Sequence, residues 1–116
     1  MVVIWSENAK NDLKNYFHNS NIITEGKVKK YIEDLVNYSN TLGHFPHLGR
    51  KFIVYKNITI YQLLFEMHRI FYIIENDEII IIQVSNCSRS IENVMKILKK
   101  YLKWLFLPKI KALHFK

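Results

Sequence analysis

At 116 residues, 49% hydrophobic and with a formal net charge of +7, the chain suffices for one core and is too short for two. A domain of that length buries roughly 65% of its unfolded surface without help from disulfides or a structural metal, and the lone Cys87 excludes an internal bridge. The charge excess sits at one end: Asn93–Lys116 carries seven lysines and no Asp or Glu, while the remainder is formally neutral, so attraction to an anionic partner is concentrated there.

The opening MVVIWSENAK lacks the basic region and long apolar run of a secretory leader, and no apolar stretch reaches the roughly 18 residues a membrane span needs. A cytoplasmic protein is expected. Val2–Trp5 reads as a short buried strand. Ser6 is a natural N-cap, and Ala9, Leu13, Tyr16 and Phe17 recur at helical spacing over about Glu7–His18. NSN breaks that helix. Asn21 or Thr24 starts a second, striped by Val28, Tyr31, Ile32, Leu35 and Tyr38, and the short join predicts a helical hairpin.

SNTLGHFPHLGRK is a loop by composition. Phe52–Tyr55, Thr59–Glu66, Arg69–Glu75 and Glu78–Val84 then read as three or four antiparallel strands. From Arg89 the period turns helical again, with Val94, Ile97, Leu98, Tyr101, Leu102 and Leu105 on one face until Pro108. The expected class is α+β: one domain over residues 1–116, a small twisted antiparallel sheet with an N-terminal helical hairpin, and a basic, apolar C-terminal helix or tail over 93–116.

HRIFYIIENDEIIIIQV carries the sharpest local signal. Asn76-Asp77 suits a two-residue primed turn, which pairs Glu75 with Glu78, Tyr72 with Ile81 and Arg69 with Val84. Arg69, Phe71 and Ile73 then share a face with Ile80, Ile82 and Val84; Ile70, Tyr72, Ile74, Ile79 and Ile81 share the other. Both faces are apolar, so both are covered, or one is covered and the other lines a groove. In this register Arg69 stands at the open end of the hairpin with Arg89 a few residues beyond it, and Arg50 and Lys51 approach from the preceding loop. Cations clustered without carboxylates suit a phosphate; a structural salt bridge from Arg69 to Glu66 or Glu92 is the competing reading. His44 and His47 have ligand-like spacing but no third ligand, and no Gly-rich phosphate loop exists. Neither a metal nor a cofactor is expected.

VIWSENAKNDLKNYF, FPHLGR and HRIFYIIENDEIIIIQVSNCSRS together resemble the RelE/ParE superfamily of bacterial type II toxin–antitoxin toxins, over roughly Val2–Lys99. The resemblance implies a sheet cradling a groove with a helical hairpin behind it, a cognate antitoxin as partner, and one of two activities. RelE-like members cleave messenger RNA on the ribosome; ParE-like members inhibit DNA gyrase. Arg69 matches the family's strand arginine, with His68 in place of a tyrosine, and Arg89 falls at the spacing of the second RelE-type arginine. Met95 stands where RelE-like enzymes often carry tyrosine, and NCSRS replaces the His-x-Arg-Arg ending of ParE-like relatives. The Pro46–Arg50 loop leans to ParE, the arginine spacing to RelE, and on balance the arginines favour messenger RNA cleavage, with gyrase inhibition or antitoxin binding alone as alternatives. In the cleavage reading Arg69 and Arg89 hold the scissile phosphate and Lys51 assists or carries a proton; Arg50, Lys51, Lys56, Arg69 and Arg89 bind the RNA. His68 alternates onto the face away from Arg69. For the apolar tail, Trp104, Leu105 and Phe106, core packing is the first reading, antitoxin binding the second and a membrane surface the third.

Overall fold

The computed structural model describes residues 1–20 and 25–102. Strand β1 (Val2–Trp5) leads into helix α1 (Glu7–Asn19), followed by α2 (Glu25–Asn40), a 3-10 turn at Thr41–Gly43 and four strands: β2 (Arg50–Tyr55), β3 (Ile58–Phe65), β4 (His68–Glu75) and β5 (Glu78–Asn86). A third helix, α3, occupies residues 91–102. The five strands form one sheet in the order β1-β5-β4-β3-β2. Its last four pair antiparallel, but β1 runs parallel to β5, so the sheet is mixed where the sequence predicted a purely antiparallel one. The segment read as Phe52–Tyr55 is a full edge strand from Arg50. The residues proposed to start the second helix, Asn21 and Thr24, lie outside the described residues.

Two apolar layers result. On one face α1 and α2 bring Ala9, Leu13, Tyr31 and Leu35 against Leu63, Ile70, Tyr72, Ile79 and Ile81; on the other, Val94, Leu98 and Leu102 of α3 cover Ile60, Phe71, Ile73 and Ile82. The hairpin turn behaves as its sequence demands, Asn76 and Asp77 both having positive φ (50° and 60°), and Tyr72 pairs with Ile81. Beyond that pair the register departs from expectation. A β-bulge sets Phe71 opposite Gln83, so Arg69 faces Ser85 rather than Val84. The extra residue also moves Val84 to the helical-hairpin face, where it joins Ile70 and Tyr72.

β1 ends at Trp5, leaving β5 without a strand neighbour from Ile82 onward on that side. The start of α1 takes over the pairing. Ser6 caps its own helix by accepting from the Ala9 N–H (3.1 Å), while its backbone N–H donates to the Ile81 carbonyl (3.0 Å). Asn8 Nδ2 donates to the Ile82 carbonyl (2.9 Å), and Asp12 Oδ2 accepts from the Val84 N–H (2.9 Å). The Trp-Ser…Asp pattern therefore works as a side-chain substitute for a missing strand.

Burial lifts the Asp12 carboxyl to about 6, against the opposing pull of the Val84 N–H and the nearby Arg89 charge. A carboxyl that is harder to ionise when folded gives stability that is full at low pH and lost as pH rises through about 6. Asp12→Asn keeps an acceptor for Val84 without the charge. It is expected to raise stability at neutral pH by on the order of 1 kcal/mol, discounted for partial exposure, and to make no difference below about pH 4. Thermal unfolding across that range checks it; a variant less stable than wild type at neutral pH would show that the charge itself fastens α1 to β5.

Candidate functional site

The face covered by α3 turns polar at the end of the sheet where β4 begins and β5 stops. Cross-strand pairing aligns Arg50 with Gln62, Gln62 with Phe71, Phe71 with Gln83 and Arg69 with Ser85, which puts Arg50, Gln62, Arg69, Gln83 and Ser85 on one side. The row runs from solvent to interior: Arg50 is exposed, Arg69 half-buried, Gln83 0% and Ser85 2% exposed. Arg69 Nη1 donates to Gln62 Oε1 (3.1 Å), and Gln83 Nε2 donates to Ser85 Oγ (3.3 Å). The Nε of Arg69 and the Oε1 of Gln83 are buried without a partner. Salt bridges among the described residues are Lys10–Glu7 and Lys30–Asp34, both on helices, so no described acid neutralises Arg69. Uncompensated groups of this kind cost about 1–3 kcal/mol each, and native chains keep few of them.

The Pro-x-x-Gly-Arg loop is held by Tyr72. Its buried hydroxyl donates to the Pro46 carbonyl (2.8 Å) and accepts from the Gly49 N–H (3.0 Å), and burial pushes its ionisation up. Arg50 is the next residue, so the loop sets where β2 starts and which way its guanidinium leaves. A cavity of ≈ 300 Å³ opens beside it, lined by Tyr38, Leu48, Gly49, Arg50, Gln62 and Leu64. Phe45, Leu48 and Leu64 expose 63%, 44% and 58% of their surface nearby, an apolar rim of the kind protein partners cover.

The expected cations divide. Arg50 and Arg69 share the polar row. Lys51 pairs with Tyr61, whose ring packs with the helical-hairpin core, so it belongs to the opposite face. Lys56 lies in the β2–β3 turn at the other end of the sheet, its Nζ 5.4 Å from the Tyr55 ring centre. Arg89 lies beside α1, lining a cleft with Asp12, Tyr16 and Asn19. Arg69 lies on the face covered by α3, whereas Arg89 lines a cleft on the helical-hairpin face, so the two expected partners do not share one row. Salt bridges from Arg69 to Glu66 or Glu92 do not form either. His68 turns from Arg69 as its alternation predicts, 4% exposed, with Nδ1 2.8 Å from the Tyr31 hydroxyl; burial lowers its pKa. Met95 packs against the α3 core, and Trp104, Leu105 and Phe106 lie outside the described residues. Gln62 and Gln83 escaped the sequence reading, although a lone glutamine inside an apolar strand is its own signal.

Residues 3–91 match the family model described as the ParE toxin of the type II toxin-antitoxin system, parDE. The chain belongs to the ParE toxin family. It is thus the toxin component of a type II toxin–antitoxin pair. A solved structure, the chromosomal ParDE toxin–antitoxin system from P. aeruginosa, shares the fold at a TM-score of 0.60 and 19% identity, covering 74% of this chain and 95% of that one. No curated protein matches in sequence. The matched range ends at residue 91, where α3 begins. Among the described residues no helix is long and apolar enough to cross a membrane.

Proposed function

We propose that this ParE-family toxin acts in the cytoplasm by binding and inhibiting DNA gyrase, without cutting RNA, until its cognate antitoxin covers the polar row. The observation that carries the reading is the chemistry of that row. Arg50, Gln62, Arg69, Gln83 and Ser85 include no side chain that exchanges protons near neutral pH. Cleavage of an RNA strand needs a base for the 2′-oxygen and an acid for the leaving oxygen; His68 is turned away and Lys51 is on the other face. A cationic row beside an apolar rim suits a protein surface instead. Gyrase supports this reading through the family to which the chain belongs; the antitoxin contact expected at Trp104, Leu105 and Phe106 is part of the same proposal.

Two assays on the purified chain separate the activities. Gyrase-driven supercoiling of relaxed plasmid is expected to stop, and translating ribosomes given the chain are expected to show no new messenger RNA 5′ ends. New ends with unaffected supercoiling would restore the cleavage reading.

A further inference from the structure

A second polar cleft, of ≈ 220 Å³, lies on the helical-hairpin face between α1 and the end of β5. Helix α1 presents Asp12, Asn15, Tyr16 and Asn19 to it, positions i, i+3, i+4 and i+7 of one helical stripe. β4 contributes His68, β5 contributes Asn86 and the following turn Arg89. The polar row described above is on the other face, so gyrase inhibition leaves this cleft unused.

Its donors are largely unspent. Arg89 is exposed and forms no salt bridge among the described residues. Asn86 Oδ1 accepts from the Ser88 N–H (2.8 Å), which fixes the side-chain amide and leaves its NH₂ free to donate. Tyr31, whose ionisation is pushed up to about 12 by burial, keeps its proton. The hydroxyl lies 2.8 Å from His68 Nδ1 and 3.3 Å from the Phe65 carbonyl; donated to the nearer His68 Nδ1, its proton leaves the ring hydrogen of the neutral imidazole on Nε2. Asn15 and Asn19 add two exposed amides. The one charged acceptor is Asp12, and its Oδ2 is already taken by Val84. Other titratable groups around the site are Tyr16 on α1, Tyr31 on α2 behind His68, and Glu66 and Cys87 in the adjoining turns, which act on Tyr31.

We propose that this cleft binds an oxyanion, a phosphate or a carboxylate group, through Arg89, Asn86 and His68, and that Asp12 takes up one proton as the anion enters. With Asp12 ionised, its charge and the Arg89 charge cancel and the anion is opposed. With Asp12 protonated, the cleft carries one net positive charge and one more donor. The proton passes from solvent to the free Asp12 oxygen; no covalent bond forms or breaks.

Sulfate is the first probe, because its charge does not change between about pH 5 and 8. Amide spectra of the full chain, titrated with sulfate, are expected to move at residues 84–89 and 12–19. Affinity is expected to rise about thirtyfold from pH 7.5 to 5, as the protonated fraction of a carboxyl ionising near 6 grows. Asp12→Asn should bind at neutral pH as wild type does at pH 5, with little pH dependence. Arg89→Gln should abolish the shifts, while Lys99→Gln on α3 leaves them intact. Acetate against a phosphate monoester at fixed pH then identifies the natural group. Absence of shifts in this cleft at pH 5, binding that survives Arg89→Gln, or affinity indifferent to pH in wild type would each overturn the proposal. None of these readouts depends on gyrase, so the two proposals fail separately.

Discussion

Gly49→Ala should sharply destabilise the fold. A Cβ at residue 49 would sit 2.5 Å from the Gln62 carbonyl oxygen, 2.7 Å from the Tyr72 hydroxyl and 2.9 Å from its ring. Neither neighbour can yield cheaply. Gln62 is backbone within the β3 ladder, paired with Arg50 and Phe71, and Tyr72 is wholly buried and stacked on Tyr61 at 5.3 Å. The glycine is required here by close approach and not by a positive φ. Overpacking a rigid site costs about 1–3 kcal/mol, and pulling the loop off Tyr72 strands a buried hydroxyl for about 1–3 kcal/mol more. Together these approach half the stability of an ordinary small domain. Urea unfolding should show the midpoint falling sharply; Gly26→Ala, in α2 with nothing within 4 Å of its new methyl, is the control that adds a methyl without a clash and should hold or slightly raise the midpoint. If Gly49→Ala unfolds like wild type, the loop tolerates displacement and the Tyr72 staple is dispensable.

The same loop shows what a sequence reveals and what it hides. FPHLGR stood out as a motif, yet its cause is a tyrosine 23 positions on, in a strand whose pleat was legible. Strand alternation, the Asn76-Asp77 turn and the Ser6 cap were readable because each is a local preference that tertiary packing reinforces. The bulge at Ile82 was not, since an isoleucine run gives no sign of which residue is extra. That residue decided which face the end of β5 presents: without it Val84 would stand opposite Arg69, on the α3 face. The Asp12-to-Asn19 stripe was present in the sequence but masked by the apolar stripe on the same helix. β1's parallel pairing was hidden for another reason. Nothing in Val2–Trp5 specifies a neighbour, and only the Ser6, Asn8 and Asp12 bonds to β5 explain where it lands.

Arg69 tests whether the polar row is there for folding or for a partner. A half-buried guanidinium with one hydrogen bond to a neutral amide, a buried Nε without an acceptor and no described carboxylate gains little from the folded state. Removing a poorly satisfied cation from a partly apolar setting is commonly neutral or stabilising. Arg69→Met preserves the packing of the aliphatic stem beside Phe71 and Leu64, and Gln62, half-exposed, recovers a bond from water. The expected result is thermal stability within about 1 kcal/mol of wild type, together with loss of growth arrest on expression and at least a tenfold weaker block of supercoiling, the loss of about 1.4 kcal/mol or more of binding free energy. Arg69→Lys should recover part of the effect, because a charge remains but the planar fork does not. A Met variant that unfolds would show that the guanidinium supports the sheet. One that folds normally and still arrests growth would move the working surface off this row, towards the exposed Phe45, Leu48 and Leu64.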